Sequence, residues 1–370
     1  MKKVIVFLAC AIFCLSFIAS TAQSATPNFR IISSSGVINK GVSLGWLHTD
    51  GRWIKNMANQ TVNLLGCAEA QTSWQVDTSH DWNHDSDPLS MARRMSELGV
   101  TWVRICVSYT YWSDPIDGPP YRYLIDRYVV ELTLRGIYVT VGCMGHEFGD
   151  QLTNGNTTNW INFLSELANR YKENPGMCGI YIFNEWQFVV PLDKCHVYAV
   201  QAAQALNAIN PNLLILVHGD LLHRQGIDPY WISNPIPVPN VVYVYHDYFW
   251  QHYYYDKRDF ALSYEAGNYT VAKQQMEAYF YDKIFKYAVE YNMCIMNEEF
   301  GFSDDPSLTP ADKGYTPGFP QCMHDYLEML NKYSIPWNEY CWWAGGYSLA
   351  DDGVNLNSVG LIWHDYLVVG

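Results

Sequence analysis

Two hydrophobic rhythms alternate along most of the chain. Short runs apolar at almost every position, at 61–65, 101–107, 137–143, 179–183, 213–217, 241–246, 293–299 and 337–343, are separated by stretches where apolar residues return every three or four positions. The first kind predicts strands buried on both faces; the second predicts amphipathic helices. Helices are expected over about 88–98, 124–134, 159–171, 197–208, 271–291 and 321–333. Asp87-Pro88 is an N-cap with proline in the first turn, and Gly99 and Gly136 are stops. The link between 217 and 241 lacks a clear helical pattern. Doubly buried strands joined through helices form parallel sheets, and eight such units over roughly 280 residues suit a closed barrel, typically ~250 residues. An open sheet would want a glycine-rich phosphate loop, and neither G-x-G-x-x-G nor a P-loop occurs. The expected fold is α/β, a (β/α)8 TIM barrel preceded by a short N-terminal β-hairpin around Trp53 and Ile54, after the turn Asp50-Gly51.

The first residues break this pattern. Lys2 and Lys3 precede an apolar run at 4–18 and small residues through Ala25, the layout of a secretory signal peptide at 1–25. The run is shorter than the roughly 20 residues that span a bilayer. Residues 26–370 are then expected to be one exported (β/α)8 catalytic domain, extracellular, monomeric and free of the membrane once the leader is cleaved. A formal net charge of −14 argues against nucleic acid or an anionic membrane as a partner. Cys106, Cys143, Cys294 and Cys341 lie inside apolar runs and read as small buried hydrophobes, while Cys178 and Cys195 are candidates for a bridge. No C-x-x-C pair suggests zinc, and neither a metal nor another cofactor is expected.

In such barrels chemistry sits at the C-terminal strand ends. Arg104 lies in the second strand and His146 ends the third; the fourth ends in Asn184-Glu185, the sixth in His246-Asp247-Tyr248, the seventh in Glu298-Glu299, the eighth in Trp342-Trp343. Stability alone does not require so many apolar runs to end in ionisable or aromatic groups. Glycoside hydrolysis needs two carboxyl groups flanking one bond, one protonated to help the leaving oxygen depart and one ionised to meet the anomeric carbon. The fourth and seventh strands face each other across a barrel, and carboxyls ~5–5.5 Å apart there would give retention. With 15% aromatic residues the chain can also supply flat rings for sugar faces, as well as a large core.

The segment 180–185 ending in Asn184-Glu185, the His246-x-Tyr248 pair and Glu299-Phe300-Gly301 resemble glycoside hydrolase family 5, retaining (β/α)8 enzymes that include cellulases and β-mannanases; the resemblance runs from about Gly51 to Trp343. It implies that Glu185 is the acid/base and Glu299 the nucleophile, that Asn184 bonds the sugar 2-hydroxyl, and that Arg104 and Tyr248 hold the nucleophile ionised and oriented. It further implies that His146 and His246 line the subsite at the cleavage point and that Trp342 floors it. Trp186 stands where the family usually has proline, and reads as a sugar platform or a core ring, with the platform favoured. Strand alternation lets only one of Glu298 and Glu299 point into the barrel mouth, and the Phe-Gly that follows favours Glu299.

The expected substrate is a β-linked polysaccharide, a cellulose-type β-1,4-glucan cut internally. A β-mannanase, an exo-acting β-glycosidase and a non-catalytic sugar-binding barrel are the alternatives. Three weaker motifs remain. The loop 80–87 has cation-ligand residue types but reads equally as a polar lead to a helix cap. Gly41-Val-Ser43-Leu-Gly45 spells a nucleophile elbow without its strand and helix. The aromatic segment 248–255 is expected to line the cleft.

Overall fold

A computed structural model describes residues 28–33, 36–41, 44–70, 72, 87–186, 190, 192–219, 226–343, 347–350, 353 and 355–369. Residues 1–25, expected to be a leader, Ser43 and the loop 80–85 lie outside the described residues. β1 (Asn28–Ser33) and β2 (Gly36–Gly41) pair as an antiparallel ribbon. β3 (Leu47–Asp50) and β4 (Trp53–Asn56) form the expected hairpin, turning at Gly51 with φ +57°.

Eight parallel strands then close into a barrel in chain order: β5 (Leu65–Glu69), β6 (Trp102–Val107), β7 (Tyr138–Cys143), β8 (Met177–Tyr181), β9 (Leu214–His218), β10 (Val241–Tyr248), β11 (Ile295–Gly301) and β12 (Trp337–Glu339), with β12 pairing back onto β5. The fold is the (β/α)8 barrel. The first barrel strand begins at Leu65, four residues later than the apolar run at 61–65 predicts, because Thr61 only bridges Lys55 of the hairpin. That shift carries the strand end past Gly66 to Glu69.

Strand alternation sorts side chains into two layers. Val103, Ile105, Val139 and Val141 face outward into the helical layer. Trp102, Tyr181, Leu214, Leu216, Val242, Val244 and Met296 fill the barrel interior, where Leu47 and Ile54 of the hairpin join them. An apolar plug thus occupies the lower interior, and the polar groups gather above it at the C-terminal strand ends.

The helices follow the predicted pattern, with differences that have physical causes. Asp87 caps Pro88–Glu97 by accepting from the Ser90 amide at 3.2 Å. The stretch expected to be one long helix is Tyr269–Phe280, a π-helical turn Tyr281–Phe285, and Lys286–Val289. The link after β9 contains the short helix Tyr230–Ser233, pinned by the buried Trp231, whose indole donates to the Gly219 carbonyl at 3.1 Å. A final helix, Ser358–Val369, was not anticipated; buried Trp363 ties it to the barrel by donating to the Gly66 carbonyl at 3.1 Å. Cys178 and Cys195 do not form the candidate bridge: Cys178 lies inside the barrel and Cys195 in the outer layer.

Glu339, at the end of β12, is fully buried and neither carboxyl oxygen has a hydrogen-bond partner. Burial raises its pKa well above the usual carboxylate range, so the folded protein holds it neutral. The unfolded chain releases that proton above about pH 4.3, so Glu339 costs stability as pH rises. Glu339→Gln should therefore melt a few degrees above wild type at pH 8 in calorimetry, with the gap closing near pH 4.

Candidate active site

A β-bulge assembles the centre of the site. Along β10 and β11, Tyr245 pairs with Asn297 but His246 pairs with Glu299, so Glu298 is the additional residue on β11. Regular alternation would turn one of the two glutamates away from the barrel. The bulge instead brings both to Arg104: Glu299 Oε2 accepts from Nη1 at 2.7 Å, and Glu298 Oε1 lies 3.3 Å from Nε. The expectation that only one of the pair points inward is thereby corrected. Asn297, just before the bulge, points the other way; its amide donates to the Tyr326 hydroxyl at 2.6 Å, and its side-chain oxygen accepts from the Glu299 backbone N–H at 3.2 Å.

Arg104 is fully buried on β6, with its guanidinium 4.4 Å over the Tyr181 ring. Its remaining terminal nitrogen, Nη2, donates to Asn184 Oδ1 at 2.6 Å. One cation therefore ties β6, the loop after β8 and β11 together. Tyr248 donates its hydroxyl to Glu299 Oε1. Burial first, and then the charge of Glu299, raise the Tyr248 pKa, so the phenol keeps the proton it donates.

Glu185 stands in the loop after β8 with φ +52°, a left-handed conformation rare for a residue with a side chain. Aromatic rings brace this turn on both sides. Phe183 and Trp186 stack at 4.4 Å and 9°, and Trp160 packs edge-on against both while donating to the Ile182 carbonyl at 2.8 Å. Trp186 is fully buried, which overturns its favoured reading as a sugar platform: it is the core ring of this brace.

His246 lies between the carboxylates. Nδ1 is 3.0 Å from Glu185 Oε1, while Nε2 is 3.5 Å from Glu299 Oε2 and 3.8 Å from Glu298 Oε2. Burial alone would lower its pKa, but Glu299, Glu185 and Glu298 together outweigh that and raise it to about 10. One oxygen of Glu185 and one of Glu299 lie within 4.8 Å of each other and of a His246 nitrogen. The Glu185 side chain is 20% exposed and that of Glu299 7%, so Glu185 is the more open to an incoming group.

Arg104, Asn184, Glu185, His246, Tyr248 and Glu299 therefore converge. The role expected of His146 rests on a side chain outside the described residues; its backbone opens the turn His146–Phe148, in which Glu147 accepts from the Tyr109 amide at 2.7 Å. Trp342 does not floor the cleft. It is fully buried and its indole donates to the Gly353 carbonyl at 3.1 Å, because it follows the barrel strand into the outer layer rather than the mouth. Half-buried Tyr340 instead packs on Ala68, Ala70, Cys106 and Met144 inside the mouth. Its phenol is pushed up by burial and then by Glu299, which marks its proximity to that carboxylate. Sequence reasoning passed over Tyr340 because it looked for tryptophan two positions later. The aromatic segment after β10 divides: Phe249 packs inward on Phe260, Tyr264 and Phe302, while Tyr255 is exposed beside Trp250.

A barrel with two opposed carboxylates at its strand ends, one braced by arginine and tyrosine, defines a site of the glycoside-hydrolase class. The family model for cellulase (glycosyl hydrolase family 5) matches residues 56–346, and the chain belongs to that family. It is 25% identical over 220 residues to the endoglucanase MaCel5A of Microbulbifer sp. (strain ALW1), covering 55% of this chain and 39% of that one. It is 36% identical over 107 residues to an endoglucanase of Paenibacillus polymyxa, covering 24% of this chain and 27% of that one. The matches thus span well under half the length of these curated relatives. Among solved structures, an endocellulase from the archaeon Pyrococcus horikoshii shares the fold with a TM-score of 0.65 and 14% identity, over 87% of this chain and 97% of that one. The β-glucanase SdGluc5_26A from Saccharophagus degradans, solved with cellotetraose, aligns with a TM-score of 0.66 and 13% identity over 88% and 94%.

Two outcomes follow. Trp342→Ala should cost about 3–5 kcal/mol of stability through cavity formation, measured by denaturant unfolding, whereas Tyr340→Ala should cost less stability and weaken sugar binding in calorimetric titration. The raised pKa of His246 stabilises the fold fully below about pH 6.5, and that contribution is lost as pH rises through about 10. Thermal midpoints should fall across that window, and less steeply in His246→Phe.

Proposed function

We propose that this protein is an exported endo-β-1,4-glucanase that cleaves cellulose-type glucan by double displacement with retention, Glu185 serving as acid/base and Glu299 as nucleophile. The observation that carries the reading is the approach of Glu185 and Glu299 to within 4.8 Å, oxygen to oxygen. Carboxyls ~5–5.5 Å apart favour retention, whereas inversion needs ~6.5–9.5 Å to admit a water.

In the first step Glu299 attacks the anomeric carbon while Glu185 passes its proton to the departing glycosidic oxygen, leaving a glycosyl ester on Glu299. In the second, Glu185 takes a proton from water, the water oxygen bonds the anomeric carbon, and Glu299 leaves as carboxylate. Two donors already on Glu299, Arg104 and Tyr248, hold one oxygen each and aim the carboxylate. Esterification removes its charge, which makes it easier for Glu185 to stay deprotonated and act as a base. Asn184, held by Arg104, is the residue that would bond the sugar 2-hydroxyl. The endoglucanase relatives and the cellotetraose bound to a structural neighbour support a β-glucan substrate. Export rests on the leader pattern at 1–25.

Glu185→Gln should lower hydrolysis of soluble β-1,4-glucan by about 10²–10⁴-fold, and Glu299→Gln by at least as much, read as reducing ends. NMR of the first product should show the β-anomer. An initial α-anomer, or undiminished variants, would overturn the assignment; release of short oligomers from mannan and not glucan would move the substrate to a mannan.

A further inference from the structure

Glu298 is a third carboxyl group in a site whose chemistry requires two. It is fully buried, the bulge on β11 turns it inward, and its oxygens have no hydrogen-bond partner, only the nearby cations. A carboxylate so placed is costly unless it serves the charges around it. Its two neighbours are Arg104 Nε at 3.3 Å and His246 Nε2 at 3.8 Å. Arginine is always charged, so of these two neighbours the one whose state Glu298 can alter is His246.

The geometry of His246 points the same way. Its two ring nitrogens face carboxylates in opposite directions, Nδ1 toward Glu185 and Nε2 toward Glu299 and Glu298. A neutral imidazole carries one N–H and would present a lone pair to one of them; only the imidazolium presents N–H to both. We propose that Glu298 is a positioning residue that holds His246 as an imidazolium and, through it, sets the charge that Glu185 meets at each stage of the reaction.

This rests on the double-displacement reading above, and charge balance explains its use. Three carboxyls, of Glu185, Glu298 and Glu299, face two cations, Arg104 and His246. With the acid proton on Glu185 the set is neutral. When Glu299 becomes an ester and Glu185 has given up its proton, the set is neutral again, so neither stage leaves an uncompensated buried charge. Without Glu298 a charged His246 would leave both stages with one excess positive charge, and the imidazole would tend to lose its proton instead. Among the described residues, the other titratable groups around this set include Cys106 on β6, Tyr181 on β8, Tyr248 on β10, Tyr340 after β12 and His218 on β9. The His218 ring meets that of His246 edge-on at 4.4 Å.

The test follows the His246 ring by NMR of protein labelled with 15N-histidine, across pH, in wild type, Glu298→Gln and Glu298→Asp. In wild type His246 should remain protonated to well above neutral pH. In Glu298→Gln its midpoint should fall by about one pH unit or more, and Glu298→Asp should retain most of the elevation. The alkaline limb of kcat/KM on β-glucan should move down with it, with kcat falling more than KM changes. Wild-type His246 titrating near about pH 6.5, or a midpoint unmoved in Glu298→Gln, overturns the proposal. If the glutamine variant does not fold, a wild-type midpoint near about pH 6.5 still overturns the proposal. The NMR readout needs no turnover, so a protein inactive on every β-glucan but with these titrations would refute the glucanase reading and leave the role of Glu298 standing.

Discussion

A guanidinium with no access to water must be met by acceptors and counter-charge, or the fold that buries it does not form. Arg104 is such a group. Every nitrogen of its head has a partner or a counter-ion: Asn184, Glu299 and Glu298, with the Tyr181 ring beneath. These partners come from the loop after β8, from β11 and from β8, so satisfying one side chain sets the relative positions of both proposed catalytic glutamates. Asn184 places its neighbour Glu185, and the ion pair places Glu299. Lysine could not replace it, because a single ammonium cannot reach three acceptors in a planar fork.

The surroundings show how that placement is held from outside. The Phe183–Trp186 stack and Trp160 clamp a turn in which Glu185 takes an unfavourable φ. On the far side of β10 and β11 a polar chain runs from the Glu299 N–H through Asn297 and Tyr326 to Asp247 and on to His252, with a 2.5 Å contact between the last two. Residues that alternate with the site, and so never face it, thus fix the strand ends from which it projects. Below them the apolar plug lowers the local dielectric, which strengthens each interaction and raises the cost of imbalance.

The periodicity of the chain was enough to define the barrel, since doubly buried strands between amphipathic helices have few other ways to cover their apolar faces. It also marked the strand-end carboxylates, Arg104, His246 and Tyr248, because polar residues at the ends of apolar runs have no role in a hydrophobic core. It failed at Trp342, Trp186 and Glu298. Tryptophan reads the same in a core and in a sugar platform, and neither the outward path of the chain after Glu339 nor the stack on Phe183 leaves a periodic signal. Tyr340, beside Glu299, was missed for the same reason.

What the sequence determined by itself is a matter of pattern: which segments are strands, which helices, and which residue types reach the strand ends, all governed by local propensity and by the need to bury apolar side chains. What only the tertiary structure decided is direction and charge. A one-residue bulge on β11 turned two adjacent glutamates to the same interior, and the convergence of three carboxyls around Arg104 and His246 raises the proton affinity of the imidazole. Such facts depend on distances between segments far apart in the chain, and electrostatic energy varies with those distances, not with residue order.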